Sequence, residues 1–112
     1  MKFSIEVQPT FAKEVKRLSK RYKSLYRDLQ SLQSALLSNP CEGTDLGHGL
    51  RKVRMAISDK NKGKSHGARI ITFTVFVDEQ NGVINLLYIY DKEELSSISK
   101  EEILEMIKSL EL

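Results

Sequence analysis

The spacing of the apolar residues changes at Leu50, and this change limits the fold more than any other feature of the sequence. From Phe11 to Leu36, apolar side chains recur every three or four positions, which is typical of amphipathic helices. From Leu50 to Tyr90, they alternate with polar residues or form short β-branched and aromatic runs, which is typical of strands. The helical stripes are Phe11, Val15, Leu18 and Tyr22, then Leu25, Leu29, Leu32 and Leu36; the strand-like segments are 50–57, 68–77 and 83–90.

Shorter signals complete the predicted order of elements. Residues 2–7, KFSIEV, alternate like a half-buried strand, and residues 41–49, CEGTDLGHG, are glycine-rich like a loop. Thr10 is a candidate N-cap for the first helix, and Asn39-Pro40 ends the second. The Asn-Gly pair in DEQNG predicts a tight hairpin. A final helix follows a capping box of Ser99 and Glu102, with its apolar stripe facing inward: Ile103, Met106, Ile107 and Leu110.

The order β-α-α-β-β-β-α, over 1–112 as one domain, predicts an α+β fold with a twisted, mostly antiparallel sheet. The two N-terminal helices are expected to pack on one face, and the fold ends with a C-terminal helix. Lys52 and Arg54 alternate with apolar residues, so they should project from the face that those two helices leave uncovered. Antiparallel pairing across the connecting loop can bring Arg69 beside them.

The positive charge of the chain is concentrated in this region. Residues 51–69 contain seven bases and one acid, a net charge of +6, whereas the whole chain carries only +3. One interpretation is a solvated loop between two strands. The other is a phosphate-binding surface, because Lys52 and Arg54 lie within a strand and Arg69 opens the most apolar strand without an acid nearby in sequence.

Two familiar motifs are not supported by their surroundings. Gly63-Lys64-Ser65 resembles part of a P-loop, but position 58 is serine and a strand follows instead of a helix. The two histidines, His48 and His66, have no second ligand at a metal-site spacing, so neither a metal nor a cofactor is predicted. The single cysteine and the absence of a long apolar run favour a cytoplasmic protein that does not span a membrane.

Taken together, these segments resemble a known family. GLRKVRMAISDKNKGKSHGARIITFTV, followed by LLYIYDKEELSSISKEEI, is similar to the RelE/ParE superfamily of bacterial toxins, in particular its HigB-like branch. The resemblance covers roughly residues 50–110. It implies the toxin of a type II toxin-antitoxin system, which is neutralised by a cognate antitoxin encoded beside it. Toxins of this kind act on the ribosome as metal-free mRNA endonucleases and inhibit translation.

The resemblance also implies roles for individual residues. The 2′-hydroxyl of the RNA attacks the adjacent phosphate, so a base, an acid and cations around the developing charge are needed. Lys52, Arg54, Arg69 and Lys92 match the family's catalytic cations. Lys52 is the candidate base, Arg54 positions the phosphate, Arg69 stabilises the transition state, and Lys92 is an acid or a further phosphate contact. The predicted contacts to ribosomal RNA are Arg51, Lys60, Lys62 and Lys64.

The sequence departs from the family after Lys92. Strongly nucleolytic relatives often carry an arginine directly after this lysine and a tyrosine in the C-terminal tail. In this sequence Glu93 and Glu94 follow Lys92, and no tyrosine occurs in 93–112. Two alternatives therefore stand beside the nuclease. One is a ParE-like inhibitor of DNA gyrase that has no nuclease activity. The other is a decayed toxin that acts only in a complex with its antitoxin.

Overall fold

The computed structural model describes residues 2–110, which form an α+β fold built on one five-stranded sheet. The elements are β1 (Lys2–Val7), α1 (Pro9–Ser19), α2 (Leu25–Ser38), β2 (Thr44–Gly47), β3 (Leu50–Met55), β4 (Ala68–Phe76), β5 (Asn81–Asp91) and α3 (Lys100–Lys108), with short 3₁₀ turns at Ser58–Lys60 and Lys64–His66. The strand order is β1-β5-β4-β3-β2. Only the β1–β5 pairing is parallel, so the prediction of a mostly antiparallel sheet is confirmed.

Helices α1 and α2 cover one face of the sheet, as their apolar stripes predicted. The stripe of α1 (Phe11, Val15 and Leu18) and that of α2 (Leu25, Leu29, Leu32 and Leu36) are buried in one cluster. Alternate residues of the strands complete this cluster, among them Val53 and Met55 of β3 and Ile70 of β4. The period-two pattern therefore assigned the inward side of β3 correctly.

The sequence had suggested that the opposite face of the sheet is uncovered. In the structure, α3 packs on this face. Leu50, Ile71 and Tyr90 from three neighbouring strands form a second apolar cluster with Ile98 and Ile103. Ser99 caps the start of α3 as predicted: its hydroxyl accepts a hydrogen bond from the backbone N–H of Glu102, at 3.1 Å. The face that bears Lys52 and Arg54 is thus covered in part by the C-terminal helix.

Strand β2 was missed because its glycines resemble those of an irregular loop. It pairs antiparallel with β3, placing Thr44 opposite Lys52. Gly47, His48 and Gly49 all have positive φ values (89°, 55° and 83°), which glycine adopts without a steric penalty. The glycines of this segment form the tight turn between β2 and β3 and do not interrupt either strand.

The predicted N-cap of α1 was wrong, whereas the predicted hairpin between β4 and β5 is confirmed and differs only in where it turns. Helix α1 begins at Pro9 after an N-cap at Gln8, and the Thr10 hydroxyl instead donates to the carbonyl of Leu87, at 2.5 Å. The hairpin between β4 and β5 turns at residues 77–80, and the Asn-Gly pair lies just beyond it as the first two residues of β5. Gly82 pairs with Phe76 in the ladder and is not part of the turn.

Within residues 2–110, none of the helices has the length and apolar character that crossing a membrane requires.

Candidate phosphate-binding site

Two of the predicted catalytic cations lie side by side on the sheet. Arg54 of β3 is directly opposite Arg69 of β4, and Arg69 is in turn opposite Tyr90 of β5. Directly paired residues on neighbouring antiparallel strands have Cβ atoms about 4.5–5.5 Å apart. The prediction that antiparallel pairing brings Arg69 beside the cations of β3 is therefore confirmed for Arg54. We refer to Arg54, Arg69 and Tyr90 as the cross-strand row.

The Arg69 side chain is buried and has only neutral partners. The residue is 4 % exposed, and its guanidinium donates to the carbonyls of Lys64 (2.8 Å), Ala68 (3.1 Å) and Ser65 (3.4 Å). Among residues 2–110, no carboxylate lies within 4.0 Å of this guanidinium or that of Arg54. Burial lowers the pKa of Arg69, and the positive charge of Arg54 lowers it further. The site therefore holds a cation whose charge the surrounding residues do not neutralise.

Lys52 lies two positions before Arg54 on the same side of β3 and is opposite Ile71 of β4. It is half-buried, and it lines a small cavity of about 130 Å³ together with Ile98 and Ile103, beneath α3. Lys52 thus lies two residues along β3 from the cross-strand row.

Lys92 follows β5 at the end of the sheet where β4 begins. Its backbone N–H donates to the carbonyl of Gly67, at 3.0 Å. Its ammonium donates to the carbonyl of Ser96, at 2.5 Å, and so ties the segment after β5 back on itself. The backbone of Lys92 is anchored beside the entrance to β4, whereas its side chain is directed toward Ser96.

Lys60 does not have the free ammonium expected of an RNA contact. Its side chain is 6 % exposed, and Nζ lies 2.5 Å from Asp91 and 2.8 Å from Glu93. Asp91 is fully buried and also accepts a hydrogen bond from the Tyr22 hydroxyl, at 2.7 Å. The structure corrects the prediction for Lys60: this lysine belongs to a buried ion pair that attaches the basic loop to β5.

The other predicted RNA contacts do not form one surface. Arg51 alternates with Lys52 and so lies on the side of β3 that faces α1 and α2. Its guanidinium donates to the carbonyl of Cys41, at 3.3 Å. Lys62 is exposed but lies 3.6 Å from a Glu93 carboxylate oxygen. Lys64 is exposed and lines, with Arg54, a cleft of about 360 Å³ between α2 and the end of β3. Lys64 also contacts the cross-strand row directly, since its carbonyl accepts a hydrogen bond from Arg69.

The loop that carries these cations is held rigidly at its first turn. The carboxylate of Asp28 in α2 accepts hydrogen bonds from the backbone N–H and the hydroxyl of Ser58. Ser24 and Asp59 bond reciprocally: the Ser24 N–H donates to the Asp59 carboxylate (2.9 Å), and the Asp59 N–H donates to the Ser24 hydroxyl (3.0 Å). These four polar residues fix the loop to the start of α2, and no motif in the sequence identified them.

Sequence reasoning also missed Tyr90 as a member of the site. Burial raises the pKa of its phenol, an effect that the charge of Arg69 partly offsets, so the hydroxyl stays protonated at neutral pH. The register of β4 against β5 depends on a shift between Ile71 and Thr72, which the sequence does not reveal. Only with that register is Tyr90 placed opposite Arg69.

For the part of the chain that the structure describes, no group of three His, Cys, Asp or Glu residues is arranged to hold a metal ion. A scan against protein-family models gave no match, and a search of curated proteins gave none either.

Proposed function

We propose that this chain is the toxin of a type II toxin-antitoxin system: a metal-independent, ribosome-dependent mRNA endonuclease of the cytoplasm that a cognate antitoxin neutralises. The observation that carries the proposal is the pair of arginines, Arg54 and Arg69, which lie opposite each other and have no carboxylate partner among residues 2–110. Opposed like charges destabilise a sheet, and burial of one of them raises the cost. A bound phosphate would neutralise both.

The other buried cation of the same loop provides a comparison within the molecule. Lys60 is also almost fully covered, but two carboxylates lie within 3 Å of its ammonium. Arg69 is covered to a similar degree and contacts carbonyl oxygens alone. Lys60, whose ion pairs attach the basic loop to β5, is thus neutralised by the carboxylates of Asp91 and Glu93. The lack of one at Arg69 supports an external anion, and a guanidinium suits the two oxygens of a phosphate.

The resemblance to the RelE/ParE superfamily implies the following chemistry for these groups. In its neutral form, Lys52 takes the proton of the 2′-hydroxyl, and the 2′-oxygen attacks the neighbouring phosphorus. Arg54 and Arg69 stabilise the additional negative charge of the pentacoordinate phosphate. The bond to the 5′-oxygen breaks, and that oxygen receives a proton from the ammonium of Lys92. The products are a 2′,3′-cyclic phosphate and a 5′-hydroxyl.

Brief expression followed by mapping of mRNA 5′ ends on ribosomes tests the proposal. We expect new 5′-hydroxyl ends in phase with the codons. A DNA-damage response without such cuts would contradict the nuclease and favour a gyrase inhibitor. Growth without cuts or damage would indicate a chain that acts only in its antitoxin complex.

Binding to ribosomes should depend steeply on salt, because cations that contact phosphates release counter-ions from RNA. We expect Lys64→Gln to weaken ribosome binding and to reduce the slope of log affinity against log salt by about one unit. Lys13→Gln is the matched control, since Lys13 is an exposed lysine of α1 outside the basic loop. Equal slopes for the two variants, measured by sedimentation with ribosomes, would show that Lys64 contacts no phosphate.

A further inference from the structure

The hydroxyl of Tyr90 is buried without a hydrogen-bond partner. Tyr90 is 3 % exposed, and its phenolic oxygen bonds to no other atom of residues 2–110. A tyrosine hydroxyl in a protein interior normally finds a partner, because an unpaired buried polar group destabilises the folded state. Phenylalanine would fill the same space in this cluster without that cost. The hydroxyl therefore calls for an explanation other than packing.

Two neighbours make the position of this hydroxyl informative. Tyr88, on the same strand and in the same apolar cluster, has a partner, since its hydroxyl lies 3.4 Å from a carboxylate oxygen of Glu14. Tyr90 instead lies opposite Arg69, whose guanidinium has no carboxylate partner in the described chain. A hydroxyl donor and a guanidinium, both lacking a negatively charged acceptor, thus occupy adjacent strands.

We infer that the hydroxyl of Tyr90 and the guanidinium of Arg69 together bind one non-bridging oxygen of the phosphate at which the RNA is cut. The inference rests on the proposed function for the identity of that phosphate. The binding of an oxyanion at the cross-strand row does not depend on it. The protonated phenol donates, as an oxyanion contact requires.

The anion reaches this pair from the exposed end of the cross-strand row. Arg54 is exposed and provides the first contact. At the inner end of the row, the guanidinium of Arg69 donates hydrogen bonds to carbonyls of the turn at Lys64–His66. That turn buries none of its own side chains. Exchange of these carbonyl contacts for phosphate oxygens replaces neutral acceptors with charged ones, which form stronger hydrogen bonds.

Tyr90→Phe removes the hydroxyl and keeps the ring, and Tyr88→Phe is the matched control. Thermal melting in sodium phosphate, compared with sodium chloride of equal ionic strength, measures anion binding without any RNA. We expect phosphate to stabilise the wild type and Tyr88→Phe. The affinity of Tyr90→Phe for phosphate should fall about tenfold, the scale of one hydrogen bond to a charged acceptor. In buffer alone, Tyr90→Phe should melt at the same temperature as the wild type or above it.

Cleavage of mRNA on ribosomes provides the second measurement. Tyr90→Phe should lower kcat about tenfold or more and leave KM nearly unchanged, because the contact strengthens as charge develops on the phosphate. Phosphate stabilisation equal in Tyr90→Phe and Tyr88→Phe, or absent from the wild type, overturns the inference. A wild type that cuts no RNA overturns the proposed function, and the phosphate comparison still decides whether Tyr90 binds an oxyanion.

Discussion

Replacement of Arg69 with alanine should reduce mRNA cleavage on the order of 10²–10³-fold, the usual effect of removing one preorganised charge-stabilising donor. The fold should survive with a moderate loss of stability. From the sequence alone, a residue at a strand entrance suggested a loss of about 1 kcal/mol or less. The burial of Arg69 and its bonds to three carbonyls raise our expectation to about 1–3 kcal/mol. Thermal melting and single-turnover cleavage measure the two effects separately.

Arg69→Lys separates charge from geometry. It keeps the positive charge but loses the planar fork that contacts two phosphate oxygens, so it should recover little of the rate. Arg27→Ala is a suitable control, since Arg27 is an exposed arginine of α2 outside the site. Normal cleavage by a folded Arg69→Ala protein would refute the proposed site. Complete unfolding of both Arg69 variants would show that the residue serves the structure alone.

Replacement of Asp91 with asparagine should cause the largest loss of stability, about 3–5 kcal/mol. Asp91 is fully buried and accepts hydrogen bonds from Lys60 and Tyr22, so its loss leaves the Lys60 ammonium covered and short of one carboxylate. Chemical denaturation measures the effect. Lys60→Met in the Asp91→Asn background should recover part of it, because the uncompensated charge is then absent. Additive effects of the two substitutions would show that the pair is not coupled.

The same ion pair predicts how stability depends on pH. Burial alone would raise the pKa of Asp91, but the hydrogen bonds from Lys60 and Tyr22 outweigh it and lower the pKa in the folded state. The contribution of Asp91 to the free energy of unfolding is therefore present above its unfolded pKa of about 3.9 and is lost as the pH falls through its pKa in the folded state.

For Lys60, burial is likewise outweighed by the hydrogen bonds to Asp91 and Glu93, and the pKa of its ammonium is raised in the folded state. Its contribution is present below about pH 10.4 and is lost as the pH rises through the folded value.

Alternating residues allowed the sequence to predict the two sides of β3. Val53 and Met55 are buried under the helices, and Arg54 lies on the other side opposite Arg69. Such features depend only on the period of a strand and on antiparallel pairing through a loop. They concern contacts that are local or lie between consecutive elements, so they can be read from one sequence.

The features that sequence reasoning missed depend on distant parts of the chain. Lys60 is buried because Asp91, 31 positions later, is its partner. The sheet face that bears Arg54 is covered in part because α3 packs on it, and no property of β3 itself predicts that packing. Tyr90 joins the site through a register shift in β5. An apolar period indicates which side of an element is buried, but it does not indicate which partner buries it.

The parallel pairing of β1 with β5 determines when this molecule can complete its fold. Lys2 pairs with Asn81, and Val7 pairs with Leu86, so β1 can pair only after β5 has been synthesised. Closing so long a stretch of chain costs entropy before any contact offsets it, which delays such pairings in folding. A nascent polypeptide that has not yet released β5 holds its first strand unpaired. It also lacks the tyrosine of the cross-strand row, so the site can assemble only after β5 has been synthesised.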